Sequence, residues 1–226
     1  MKAEFILAVK TAALDVQNLH GNDQPLYLLQ VPELLPYLQK DLILGQREAL
    51  EADETHRQLL PYIVLRKMFG DVTKYFAYRR RNGVREARLG GNVSIGVGGH
   101  IDMVDIQHAD SVIDPMATIA GSVQRELEEE IEFSTEGMAE GEEGEVLFHS
   151  VGALVDNSNA VGKVHLGLVF TATVDENTDV KCAEEELETL GWFTATELLA
   201  AGLPLENWTN ILLEHFAESE FAEGEA

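Results

Sequence analysis

The stretch from Pro115 to Ile131 constrains the fold more than any other. Ile119, Val123, Leu127 and Ile131 recur every four residues, which makes one apolar stripe on a helix. The same helix carries Glu126, Glu129 and Glu130. At spacings i, i+3 and i+4 these three carboxylates share a face, and like charges so placed destabilise an isolated helix. The chain therefore needs a core to hold the stripe and either solvent or a cation to relieve the opposite face. Hard divalent ions such as Mg²⁺ take oxygen ligands of this kind. From the cluster alone, a solvated acidic face is the competing account.

Strand patterns surround this helix. Tyr62-Ile63-Val64-Leu65 and Thr73-Lys74-Tyr75-Phe76-Ala77-Tyr78 are rich in β-branched and aromatic residues, which predicts strands. Asn92 to Val97 alternates and runs into Gly98-Gly99. Val146–Leu154 and Val164–Val174 predict two further strands, and Trp192-Phe193 closes another. Thr194 or Thr196 can cap a helix holding Leu198 and Leu199, and Glu206–Phe216 reads as a last amphipathic helix. Residues 134–145, rich in Gly and Glu, read as an exposed loop. Arg79-Arg80-Arg81-Asn82-Gly83 reads as a basic hairpin turn. Leu26 through Leu44 reads as a helix-like pattern broken by Pro36. Strands and helices in this order predict an α/β (α+β) fold. The expected division is an N-terminal extension over residues 1–60, packed on or extending the core, a main domain over 61–216, and an acidic, frayed tail over 217–226.

The sequence has 40 acidic and 16 basic residues, a formal net charge of −24. Such a surface repels nucleic acid and anionic membranes, so a phosphorylated ligand needs a local basic patch or bound cations. Arg79, Arg80 and Arg81 form the strong basic cluster, and Arg suits bidentate phosphate contact; a solvated turn is the other reading. The single cysteine, Cys182, excludes an internal disulfide and fits a reducing cytoplasm. The apolar run Phe5–Val9 is too short for a signal core or a membrane span.

The segment Arg125-Glu126-Leu127-Glu128-Glu129-Glu130-Ile131-Glu132-Phe133, with Gly98-Gly99 and Asp105 upstream, resembles the signature of the Nudix hydrolases. That pattern runs Gly, five residues, Glu, seven residues, Arg-Glu, an aliphatic, any residue, Glu-Glu, any residue, Gly, an aliphatic. Gly99 and Asp105 match its first half, Asp105 standing in place of Glu. Nineteen residues (106–124) separate Asp105 from Arg125, so the resemblance implies an insertion of twelve. Glu132 stands in place of the final glycine, where a left-handed helix end would cost a Glu more than a Gly. The Leu190–Phe193 and Glu197-Leu198 region also resembles the family's last strand and helix.

The resemblance implies a mixed β-sheet sandwiched between helices. It implies Mg²⁺ or Mn²⁺ held by Glu126, Glu129 and Glu130 with the Gly99 (or Gly98) carbonyl, and Arg125 orienting a metal-holding glutamate. It implies hydrolysis of a diphosphate linkage in a nucleoside diphosphate derivative or related small molecule by a metal-activated water. Glu126, Glu129 and Arg125 are the candidate catalytic residues, and Arg79, Arg80, Arg81 and Asp105 the candidate substrate contacts. Glu126 and any of Glu184, Glu185 or Glu186 stand as candidate general bases. A non-catalytic ligand-binding domain and a Nudix isomerase are the alternatives; the isomerase would require a placed Cys, and Cys182 lies beside Glu184 instead. The first sixty residues can cover the cleft, extend the sheet or supply a homodimer interface.

Overall fold

The computed structural model describes residues 4–15, 19, 24–81, 90–135 and 146–224. Strands and helices are interspersed along the chain, so the fold class is α/β. The chain forms two compact units, each assembled from three separate segments.

The first unit comprises Met1–Tyr62, Gly98–Glu126 and Ser150–Phe170. Strand Phe5–Lys10 buries its four central residues. It pairs antiparallel with strand Leu42–Gln46, from Phe5↔Gln46 to Val9↔Leu42. On its other side it meets the start of strand His56–Phe69, with Ala8 opposite Gln58. Leu42 and Leu44 therefore belong to a strand, not to the helix-like pattern read from sequence. That pattern joined four elements: strand Leu26–Tyr27, helix Val31–Leu38, which buries Val31, Leu34, Leu35 and Leu38, the single turn Gln39–Asp41, and the strand after it. Pro36 lies inside this helix. It removes one backbone donor, and the helix ends two residues later, so burial of four apolar side chains outweighs the loss.

A hairpin and the start of helix Pro115–Glu130 lie between Asp105 and Arg125. His108–Ala109 pairs with Val112–Ile113 around Asp110 and Ser111, both at positive φ (49° and 67°), as tight hairpin turns require. Asp114 then caps helix Pro115–Glu130: its Oδ1 accepts from Ala117 N at 3.1 Å, with Pro115 at the first helical position. The apolar stripe is buried as its spacing predicts, with Ile119, Val123, Leu127 and Ile131 each under 9% exposed.

The second unit comprises Ile63–Val97, Leu127–His149 and Thr171–Ala226. Strand Val72–Arg80 pairs antiparallel with the end of His56–Phe69 through the Gly70 turn (φ 63°). It also pairs with Leu187–Phe193, Leu187 opposite Arg80, and with Val93–Ser94. Phe76 and Tyr78 are fully buried, and Tyr75 stacks on Phe216 of helix Asn207–Gly224 at 4.7 Å. Thr194 is the cap of helix Ala195–Ala200, in a reciprocal box with Glu197.

Four sequence expectations change in this unit. Arg79 and Arg80 belong to strand Val72–Arg80 rather than to a turn; Asn82-Gly83 lies outside the described residues. Helix Pro115–Glu130 passes straight into strand Ile131–Thr135, so Ser134 and Thr135 are not loop; 136–145 lies outside the described residues. Glu132 pairs with Lys181 in that strand, a conformation that asks for no glycine. The last helix continues to Gly224, into the segment expected to fray. Among the described residues, no helix is long and apolar enough to cross a membrane.

Candidate functional site

In the first unit, the glycine turn, Asp105 and the Arg125-Glu126 pair come together. Gly98 sits at φ 155°, and a Cβ there would lie 2.0 Å from the Pro61 carbonyl oxygen; only glycine allows that approach. A Cβ on Gly99 would meet Glu126 Oε1 at 2.5 Å and Oε2 at 2.7 Å. The Gly99 backbone and the Glu126 carboxylate are thus in direct apposition, with the side-chain space of residue 99 given to carboxylate oxygens.

Arg125 fixes that carboxylate. Its Nη1 donates to Glu126 Oε1 at 2.8 Å. Its Nε and Nη2 form a fork on Asp105, at 2.9 and 2.8 Å, and Nη2 also reaches the His100 carbonyl at 3.0 Å. Asp105 is 5% exposed, and its Oδ2 accepts from Asp102 N as well. Hydrogen bonding to Asp105, ahead of the charge of Glu126, raises the pKa of Arg125 against the opposing effect of desolvation. Residue 105 thus reaches residue 125 across the hairpin and the first turns of the helix that lie between them.

Behind the glycine turn lies a polar group that sequence reading missed. His100 Nε2 is 2.7 Å from Gln58 Oε1 and 3.4 Å from His165 Nε2. His165 Nδ1 is 2.6 Å from the Val161 carbonyl oxygen. Gln58 is fully buried and its Nε2 has no hydrogen-bond partner among the described residues. Burial, with the nearby charges of Arg47 and His165, pushes the His100 pKa down to about 3; the ring is neutral at ordinary pH. His100 follows the two glycines directly, which was a usable signal. Gln58 follows His56 and Arg57 at the polar start of its strand and offered none. His165 is packed rather than exposed, at 8%.

In the second unit, Glu129 is exposed and Glu130 half-buried. The Glu130 carbonyl accepts from Ala183 N at 2.8 Å. Because Pro115–Glu130 is one unbroken helix, its periodicity puts Glu126, Glu129 and Glu130 on one face. Arg80 donates to Glu206 at 2.8 Å and to the Tyr78 hydroxyl at 3.3 Å; the charge of Glu130 also acts on it. Arg79 lies 3.5 Å from Glu188. Arg81 is exposed, its backbone N–H bonded to the Glu186 carbonyl. Glu184, Glu185 and Glu186 are exposed. Cys182 is a free thiol whose pKa burial pushes up, unlike an activated thiolate.

Among the described residues, no three His, Cys, Asp or Glu side chains are gathered as a ready metal cluster. The donor set nevertheless suits a hard cation that keeps waters and takes phosphate oxygens as further ligands. Glu126 is the buried, oriented member, and the glycine beside it leaves room for carboxylate oxygens.

No family model matches the chain. Protein YmaB of Bacillus subtilis is 25% identical over 207 residues, covering 91% of this chain and 90% of YmaB. The crystal structure of Tm1382, described as a candidate Nudix hydrolase, superposes with a TM-score of 0.66 at 22% identity, over 93% of this chain and 97% of Tm1382. That coverage extends into the first sixty residues. A Nudix hydrolase from Alicyclobacillus acidocaldarius matches more loosely, at TM-score 0.48 and 16% identity, over 70% of this chain and 90% of that one.

Proposed function

The chain has the fold of the Nudix hydrolases, and from that premise we propose that it hydrolyses a diphosphate linkage in a small molecule, with Mg²⁺ or Mn²⁺ held by its glutamate helix. One observation carries the reading: Arg125 clamps the buried Glu126 carboxylate against the Gly99 backbone. A carboxylate held so is oriented before any ligand arrives, and orientation by outer partners is what metal sites require.

In this reading Glu126, with Glu129, Glu130 and the Gly99 carbonyl, would hold the metal. When bound, the metal lowers the pKa of a water and offsets charge on the phosphate oxygens. Arg125 holds Glu126 in place, and Asp105 braces Arg125 rather than touching substrate, since both its oxygens are engaged. Arg80 is engaged by Glu206, so phosphate contact falls to Arg79 and Arg81. The general base is Glu126 or one of the exposed Glu184, Glu185 and Glu186. The enzyme acts in the cytoplasm, where Cys182 stays reduced.

The test is a panel of nucleoside diphosphate derivatives, dinucleotides and nucleotide sugars assayed for phosphate or monophosphate release with Mg²⁺ or Mn²⁺. Turnover should collapse in Glu129→Gln and Glu130→Gln. A folded wild-type protein that cleaves none of the panel would favour the second reading, a ligand-binding Nudix domain without catalysis; that no three-residue cluster is gathered among the described residues is the observation on its side.

A further inference from the structure

We infer that Gln58 and His165 are positioning residues for the metal-holding glycine turn, acting through the His100 ring. The inference rests on the proposed metal role of Gly99 and Glu126.

The hydrogen-bond directions follow from which atom is an acceptor at each contact. The Val161 carbonyl can only accept, so His165 Nδ1 carries a proton and donates to it at 2.6 Å. In the neutral ring Nε2 is then a bare acceptor. Gln58 Oε1 can only accept, so His100 Nε2 donates to it at 2.7 Å. The same N–H faces His165 Nε2 at 3.4 Å. With each ring carrying a single proton, both ring N–H groups meet an acceptor.

The arrangement is anchored on its far side. Arg57, 5% exposed, donates from Nη1 to the carbonyls of Gly162 and His165, at 2.9 and 3.1 Å, and from Nη2 to Asn157 Oδ1. His165 is therefore held at its backbone and at Nδ1. It can present Nε2 to His100 without moving.

His100 is held at both ends. Its ring meets Gln58 and His165, and its carbonyl accepts from Arg125 Nη2 at 3.0 Å. The same guanidinium holds Glu126. Residue 100 therefore pins the chain immediately after Gly99, whose backbone lies against the Glu126 carboxylate. Loosening the ring would free the turn and misplace the Gly99 carbonyl relative to Glu126. A turn made of two glycines has no side chains of its own to resist this.

The experiment measures Mn²⁺ affinity by calorimetry and by loss of the free-ion paramagnetic resonance signal. It uses the whole protein, with thermal melts alongside. Asn places its amide near Nδ1 of the histidine it replaces, and Gln near Nε2. His165→Asn should weaken Mn²⁺ binding about tenfold or more, the usual cost of losing an outer partner, while His165→Gln stays near wild type. Gln58→Met, which removes the acceptor for His100 and leaves His165 intact, should weaken binding as His165→Asn does. It serves as the second route should His165→Asn fail to fold. If His165 only supports the Val161 turn, the order reverses: Asn retains affinity and Gln loses it. That reversal, or equal affinity in all variants, overturns the inference alone. No Mn²⁺ binding by the wild type overturns the metal reading and this inference with it.

Discussion

Replacing Arg125 by Met should cost far more stability than a surface ion pair would. The Arg125 side chain is 23% exposed, but the side chains it serves are buried: Asp105 is 4% exposed and Glu126 9%. Removing the cation takes from two buried carboxylates the guanidinium that both accept from. Breaking a buried pair costs about 3–5 kcal/mol, and the partial exposure of Arg125 argues for the lower end, about 3 kcal/mol. For a chain of this size each kcal/mol moves Tm by about 2–4 °C, so the melting point should fall by roughly 6–12 °C. Urea unfolding of Arg125→Met, Asp105→Asn and the double variant forms a cycle. The double variant should be more stable than the sum of the singles predicts, by at least about 1 kcal/mol, because the second change removes the stranded charge. A loss below about 1 kcal/mol in the single variant, or strict additivity in the cycle, would refute the claim that residue 105 and residue 125 act as one buried unit across the insertion.

Further outcomes follow from individual contacts. Gly99→Ala should push the Glu126 carboxylate aside, since a Cβ would lie 2.5 Å from Oε1; metal-dependent turnover should fall about tenfold or more, and an unchanged rate would contradict the apposition. Arg80→Met should lower Tm, leaving the mostly buried Glu206 (10% exposed) without its partner, while KM for a cleaved substrate stays near wild type; a large KM rise would return Arg80 to the substrate site. Asp53 is held down to about 2 by hydrogen bonds from the Thr55 hydroxyl and from His56. Its folded pKa lies below the ordinary 3.8, so its stabilising contribution is complete above 3.8 and is lost as pH falls through about 2. An NMR titration of its carboxyl should show that value, moving up in Thr55→Val; no movement would remove the hydroxyl as the cause.

What the sequence disclosed was what period and cap chemistry encode. The stripe Ile119, Val123, Leu127, Ile131 is buried as spaced, and Thr194 caps its helix. The central strands fell where β-branched and aromatic residues cluster. The failures have physical causes. Leu38, Leu42 and Leu44 share a spacing that a helix followed by a strand can also produce, and only the pairing of Leu42–Gln46 with Phe5–Lys10 separates the two. Glu132 stands where the pattern has glycine, yet the helix ends by entering a strand, which needs no left-handed residue. The Asp105–Arg125 bond spans twenty positions and was obscured by the insertion, since a loop's length does not say where its ends return. Gln58 and His165 were invisible as a pair because their meeting depends on tertiary placement alone.

The central claim is that the glutamate helix serves hydrolysis by holding a divalent cation. Its most direct test is the Mg²⁺ dependence of turnover on the best substrate of the panel, in wild type and in Glu126→Gln, starting from chelator-treated protein. The account predicts no turnover without metal, a saturable rise with Mg²⁺ in the wild type, and at most a small fraction of that rate in Glu126→Gln. Turnover that persists in chelator, or a Glu126→Gln variant that matches the wild type, would contradict it.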